Sequence, residues 1–169
     1  MTTTISEKQQ LFKQALGNYP TGVTIVTTTE EDGTPVGLTV NSFASVSLEP
    51  LMVLWSIDHK VTSLDTFMTS GKFAIHILEG AQQQLCLNFA SKNVDRFSTC
   101  EWALSQQNLP IIEGAFAVLE CKTHQTVVAG DHTILIGEVT NIQVDDKKDP
   151  MLYHRRQFGP IPSSFYESK

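Results

Sequence analysis

GLTVNSFASVSLEP, residues 37–50, decides how this chain folds. The stretch is small, polar and β-prone. It carries three serines, a threonine and an asparagine, and neither lysine nor arginine. It lies between two apolar runs, so its backbone is expected to be largely extended, with side chains pointing alternately to opposite faces. Thr39, Asn41, Ser45 and Ser47 then offer hydrogen-bonding groups along a strand and its bend. Such groups suit the edge of a flat heteroaromatic ligand that carries carbonyls and ring nitrogens. They also suit the polar outer face of an edge strand, and spacing alone favours that second reading.

Upstream, Val23–Thr29 is rich in β-branched residues, and Asp32-Gly33 is a hairpin signal leading into a return strand at Val36–Val40. Before it, Ser6–Gly17 reads as an amphipathic helix with Ser6 as N-cap. Leu11, Phe12, Ala15 and Leu16 fall on one face, and Gly17-Asn18 and Pro20 form the stop. Downstream, Leu51–Ile57 reads as a buried strand, and Ser63–Ser70 as a short helix ending at Gly71. Phe73–Leu78 reads as a strand and Ala81–Ala90 as a helix. Further strands are expected at Ala115–Val128 and Thr133–Val144. Short turns join the early strands, which favours antiparallel pairing. The expected fold is mainly β, with peripheral helices around a closed or nearly closed barrel.

Length and charge narrow the function. The chain has 169 residues, enough for one domain, with an ordered core expected over about residues 8–160 and loose ends at Met1–Ile5 and Ser163–Lys169. A net charge of −6 and the absence of a basic block argue against nucleic acid. No apolar run approaches the roughly 20 residues that cross a bilayer. The start, MTTTISEKQQ, does not resemble a secretory signal. The three cysteines, Cys86, Cys100 and Cys121, form no CxxC, so neither a disulfide framework nor a metal cluster is indicated, and a reducing cytoplasm is the expected location. The dinucleotide-binding GxGxxG, the P-loop, GxSxG and HExxH are all missing.

Lys60-Val61-Thr62-Ser63 falls between a strand and a helix start, where hydroxyls, free amides and a lysine make an anion site. Thr62 or Ser63 can instead cap the helix, and both readings can hold together. Gly130-Asp131-His132 reads as a turn at a strand start, with Asp131 fixing the imidazole or serving the turn. His76 reads as packed or half-buried, and His59, His124 and His154 as surface.

Four segments occur in order: FKQALGNYPTGVTIVTT, GLTVNSFASVSLEP, FASKNVDRF and GDHTILIGEV. Together they resemble the flavin reductase family, over about Phe12–Phe158. One departure is Glu49-Pro50, where family members often carry two prolines. The resemblance implies an antiparallel, Greek-key-like split β-barrel of the FMN-binding type. It implies an enzyme in which NADH or NADPH reduces FMN or FAD by hydride transfer to N5. Reduced flavin would be held, or passed to a partner monooxygenase, and the barrels would pair as homodimers. Thr39, Val40, Asn41 and Ser42 would line the isoalloxazine ring, and Ser45, Val46 and Ser47 its polar edge. Lys60, Thr62 and Ser63 would serve the phosphate. Phe89, Ser91, Lys92, Arg96 and Phe97 would lie towards the phosphate end, although Arg96 also reads as an ion-pair partner of Asp95 or Glu101. His132 would stand beside the nicotinamide. Tyr153 and Arg155, with Arg156, would lie near the flavin pocket, or form a solvated charged end. Three alternatives stay open: a flavin-dependent reductase of a metal chelate or corrinoid on the same barrel, a flavin- or haem-binding module without turnover, and a barrel that binds nothing.

Overall fold

A computed structural model describes residues 4–166. Thr24–Thr29 (β1) and Pro35–Val40 (β2) form the expected hairpin, with Thr24 opposite Val40 and Gly33 at φ 87° in the turn. Ala44–Leu48 (β3) and Leu51–Asp58 (β4) form a second hairpin through a cis Glu49–Pro50 bond, with Val46 bulged out between Ser45 and Ser47. Lys72–Ile77 is β5. Trp102–Leu104 (β6) and Pro110–Ile112 (β7) make a small separate pair. Ala117–Ala129 (β8) and His132–Val144 (β9) form a long hairpin, and Met151–His154 (β10) and Gln157–Pro160 (β11) a short one.

Seven strands share one sheet in the order β2-β1-β5-β8-β9-β4-β3, every neighbouring pair antiparallel. The two edge strands, β2 and β3, are therefore parallel in direction and consecutive in the chain. Only Asn41–Phe43 separates them. The opening stretch is thus nearly one strand with a bend, its first half paired to β1 and its second to β4. Ser42 sits at the bend. Its hydroxyl accepts from the Ser56 amide (2.9 Å) and donates to the Ser56 carbonyl (3.2 Å), doing what a strand rung would do. Leu38 from one edge shares a core with Val53, Trp55 and Ile57 from β4, and with Val26, Phe73, Ile75, Cys121 and Leu135. A single interior lined by strands from both edges requires the sheet to roll into a barrel. The β4-to-β5 connection passes across the β8–β9 pair, as in a Greek key.

Three α-helices lie outside the sheet: Ile5–Gly17 (α1), Leu64–Thr69 (α2) and Gln83–Ala90 (α3). The N-cap of α1 is Thr4 rather than Ser6. Its hydroxyl accepts from the Glu7 amide (3.2 Å), and the Glu7 carboxylate accepts from the Thr4 amide (2.7 Å), a reciprocal capping box. The apolar face of α1 covers nothing: Leu11, Phe12 and Leu16 are all exposed, and no residue of the helix is buried. α2 buries Phe67 edge-on against Trp55 at 5.0 Å. Of the expected loose ends, Ile5 opens α1 and Ser163–Phe165 forms a 3-10 turn, while residues 1–3 and 167–169 lie outside the described residues. Among the described residues no helix is long and apolar enough to cross a membrane.

His76 is fully buried, more so than its sequence context suggested. Its Nδ1 donates to the Ile25 carbonyl and its Nε2 accepts from the Ile112 amide, both at 3.0 Å. One partner can only accept and the other can only donate, so the ring is the neutral Nδ1–H tautomer. It pins the 105–112 segment onto β1 and β5, assisted by Thr27, whose hydroxyl donates to the Pro110 carbonyl (2.7 Å). Burial pushes this imidazole from its ordinary 6.5 down to about 4. Between those values the unfolded chain takes up the proton first, so stability falls as pH drops. The contribution is complete above the upper value, is lost by the lower one, and amounts to about 3 kcal/mol. Thermal unfolding of the wild type between neutral pH and pH ~4 is expected to show this loss, and His76→Gln is expected to flatten it. A slope unchanged in the variant would remove His76 as its source.

Candidate functional site

The bend of the opening stretch forms one wall of a cleft of about 230 Å³, lined by Thr21, Gly22, Val23, Thr24, Asn41, Phe43 and Ile77. Most of this lining is apolar or backbone, with Asn41 exposed at the bend. Thr21 Oγ1 is buried and has no hydrogen-bond partner. A flat ring with a polar edge fits such a wall, with the apolar residues against its face and Asn41 and the orphaned Thr21 hydroxyl on its rim. Of the cleft residues sequence reading named only Asn41 and passed over Thr21, although Thr21 lies inside FKQALGNYPTGVTIVTT.

The residues expected along the seam divide in two. Thr39 is turned outward beneath α3, its hydroxyl donating to the Cys86 carbonyl of that helix (2.7 Å), while Val40 packs against the barrel core. Ser42 holds the seam. Ser45 and Val46 are exposed, Val46 on the bulge, and Ser47 is half-buried, its hydroxyl accepting from the Glu49 amide (3.2 Å).

A second group gathers where β4 ends and the β8–β9 turn begins, because Asp58 pairs with His132. His132 Nδ1 donates to Asp131 Oδ1 at 2.7 Å. That bond is the largest cause holding the Asp131 carboxyl below its usual range, with the charges of His132 and, more weakly, Lys60 adding to it. His59 is exposed, as read from sequence, and is also part of this group. Its amide donates to the Asp131 carbonyl (3.0 Å) and its Nε2 bonds Thr133 Oγ1 (2.9 Å). Lys60 is exposed, its amide donating to Asp58 Oδ1 (2.8 Å). Neither Thr62 nor Ser63 caps α2 as expected: Ser63 makes no side-chain cap bond and its Oγ is buried and unpartnered, while Thr62 is exposed.

The third group is held together by packing. Phe89 has no exposed surface and sits in the core. It stacks edge-on with Phe97 (5.2 Å), which does the same with Trp102 (5.3 Å). Gly37 lets α3 come this close to β2, since a Cβ there would stand 2.9 Å from the Phe89 ring. Arg96 pairs with neither Asp95 nor Glu101. Its guanidinium donates to the Ser91 carbonyl (2.8 Å) and to the Gly37 carbonyl, clasping the 91–97 turn to β2. Half burial draws its pKa below the ordinary arginine value. Ser91 and Lys92 are exposed beside it, the Ser91 hydroxyl donating to the Leu87 carbonyl (2.8 Å).

Tyr153 joins the first group. Its amide and carbonyl exchange hydrogen bonds with Thr21 (2.8 and 3.0 Å), which sets β10 against the cleft wall, and its ring packs on Phe158. Arg155 donates from Nε to Asn18 Oδ1 (2.6 Å). A larger concavity of about 800 Å³, lined by Glu30, Glu31, Asp32 and Asp65 among others, lies by the β1–β2 turn and contains none of the expected site residues.

A flavin reductase like domain matches residues 16–162, most of the chain and all of the groups above. The chain belongs to the flavin reductase family. It is similar to a flavin reductase of Pseudomonas putida, 41% identical over 150 residues, which cover 89% of this chain and 88% of that one. It is 43% identical over 153 residues to the reductase component of the flavin-dependent trigonelline monooxygenase of Acinetobacter baylyi, where it spans 49% of the relative's length. Among solved structures, the NADH:FAD oxidoreductase SgcE6 of Streptomyces globisporus, in complex with NAD and FAD fragments, superimposes with a TM-score of 0.88 at 33% identity. That match covers 100% of this chain and 99% of SgcE6.

Within this flavin reductase fold, the Arg96 clasp carries a stability prediction. Arg96→Ala leaves the Gly37 and Ser91 carbonyls without this partner and is expected to cost about 1–3 kcal/mol in denaturant unfolding. An unchanged midpoint would mean that solvent replaces the clasp.

Proposed function

We propose that this flavin reductase uses NADH or NADPH to reduce FMN or FAD, and that reduced flavin passes to a partner monooxygenase. The observation that carries this reading is the cleft at the seam, with an apolar wall, an exposed Asn41 and an orphaned Thr21 hydroxyl. Bound there, flavin supplies the acceptor atom, N5, for a hydride from the nicotinamide. The chain positions and polarises. Asn41 and Thr21 hold the polar edge of the ring, while Phe43 and Ile77 keep water from its face. Ser45, Val46 and Ser47 extend this edge along β3.

Lys60, with the unpartnered Ser63 hydroxyl and Thr62, supports a phosphate site at the end of β4. Ser91 and Lys92 supply a second set of donors beside the Arg96 clasp. His132 orients the nicotinamide through Nε2, because Nδ1 is held by Asp131. Thr39, Phe89 and Phe97 act indirectly, by fixing α3 and the 91–97 turn against β2.

The chain acts as one domain and as a homodimer. Support for the dimer comes from exposed apolar side chains: Phe12 and Leu16 on α1, Leu48 on β3, Val128 near the β8–β9 turn, and Ile142 and Val144 at the opposite end of that hairpin. Its three free thiols, two of them buried, suit a reducing cytoplasm.

Anaerobic bleaching of FMN and FAD, tested separately with NADH and NADPH, checks the activity: rapid bleaching is expected with at least one pair, and none with any pair overturns the proposal. His132→Ala is expected to lower kcat about tenfold while changing flavin Kd by less than about twofold. Equal turnover in the variant would sink the orienting role. Sedimentation at micromolar concentration is expected to give twice the 18.7 kDa chain mass. A monomer would leave those apolar faces to the oxygenase.

A further inference from the structure

The β10–β11 hairpin turns on two arginines. His154 pairs with Gln157, so Arg155 and Arg156 are the whole turn, and both lie at positive φ, 50° and 60°. Positive φ at both central residues is the type I′ geometry, which Asn-Gly adopts without strain and long L side chains do not. A strained pair kept at a turn points to what its side chains do.

Among the described residues neither guanidinium lies within ion-pair distance of a carboxylate. Arg155 spends only its Nε, on the neutral Asn18 Oδ1 at 2.6 Å, and both side chains are exposed. The turn is also tied to the cleft. The Arg155 amide bonds the Gly17 carbonyl (3.1 Å), and Tyr153 is bonded both ways to Thr21. The 17–21 segment therefore meets the turn at Gly17 and Asn18, pairs with β10 at Thr21, and ends in the cleft wall. Beside it, His154 Nδ1 is buried without a partner.

Two exposed planar forks near a ring-sized cleft match the chemistry of phosphate recognition, because a guanidinium presents paired N–H groups to two phosphate oxygens. We propose that the Arg155–Arg156 turn is a phosphate subsite that engages the phosphates of a dinucleotide. It rests on the reading of the adjoining cleft as the flavin and nicotinamide site. Two sources share this chemistry: the pyrophosphate of FAD or of NAD(P)H, and the 2′-phosphate of NADPH.

The test is the double variant Arg155→Asn, Arg156→Gly, with Arg156→Gly alone as a second variant that leaves the Asn18 contact in place. Both keep the turn and relieve strain, so Tm is expected to hold or rise in the single variant. Binding is expected to weaken about tenfold or more. Weakening of NADH and NADPH alike, or of FAD but not FMN, assigns the pyrophosphate; weakening of NADPH alone assigns the 2′-phosphate. Wild-type Kd for all four ligands in both variants overturns the subsite. Each Kd is measured by equilibrium titration as well as KM. A wild-type protein that binds these ligands but never bleaches flavin would then sink the reductase reading and leave the subsite standing.

Discussion

The Ser42 hydroxyl on Ser56 is the contact on which the bend between the two edge strands depends. β2 and β3 run the same way and cannot form the antiparallel rungs that join every other pair. A strand crossing from one sheet edge to the other must leave its ladder for a few residues, and backbone groups freed there need partners. One serine satisfies both the amide and the carbonyl of Ser56 from a single oxygen. The residues flanking it are then displayed rather than buried, and this is how Asn41 and Phe43 come to line a cleft.

The site inherits its division from the same bend. Side chains that alternate along β2 are sorted between interior and exterior, so Thr39 turns to α3 while Asn41, two residues on, escapes because the strand has already bent. The 91–97 turn is fixed against this same face of β2 by Arg96 and by the Phe89–Phe97–Trp102 stack. A half-buried guanidinium satisfied by neutral carbonyls keeps its full positive charge close to Ser91 and Lys92.

The long strands and the first hairpin were legible because their signals are local: β-branched runs, Asp32-Gly33, and the nearly all-apolar run Leu51–Ile57; the short strands β6, β7, β10 and β11 carry no such signal and were not read. The cap of α1 was not. Ser6 with Gln9 spells a capping box as well as Thr4 with Glu7 does, and the pair with the true carboxylate at the helix N-terminus prevails. Phe89 could not be placed from sequence because α3 is eight residues long, too short for periodicity to tell its inner face from its outer. His59 and Thr21 were missed for a different reason. Their partners, Thr133 and Tyr153, are more than seventy residues away in the chain, and no local pattern announces a contact of that range.

Arg155 and Asn18 also clasp the chain across 137 positions. Closing a loop of that length in an unfolded chain costs on the order of 4 kcal/mol, far more than one hydrogen bond returns. The clasp can therefore form only after the barrel has brought its partners together, and it assembles last. For the same reason it can open first. Once the barrel stands, releasing Arg155 from Asn18 exposes little apolar surface and leaves the seven-stranded sheet closed. The rim of the cleft is thus free to breathe on a timescale of its own, while the barrel wall behind it stays fixed.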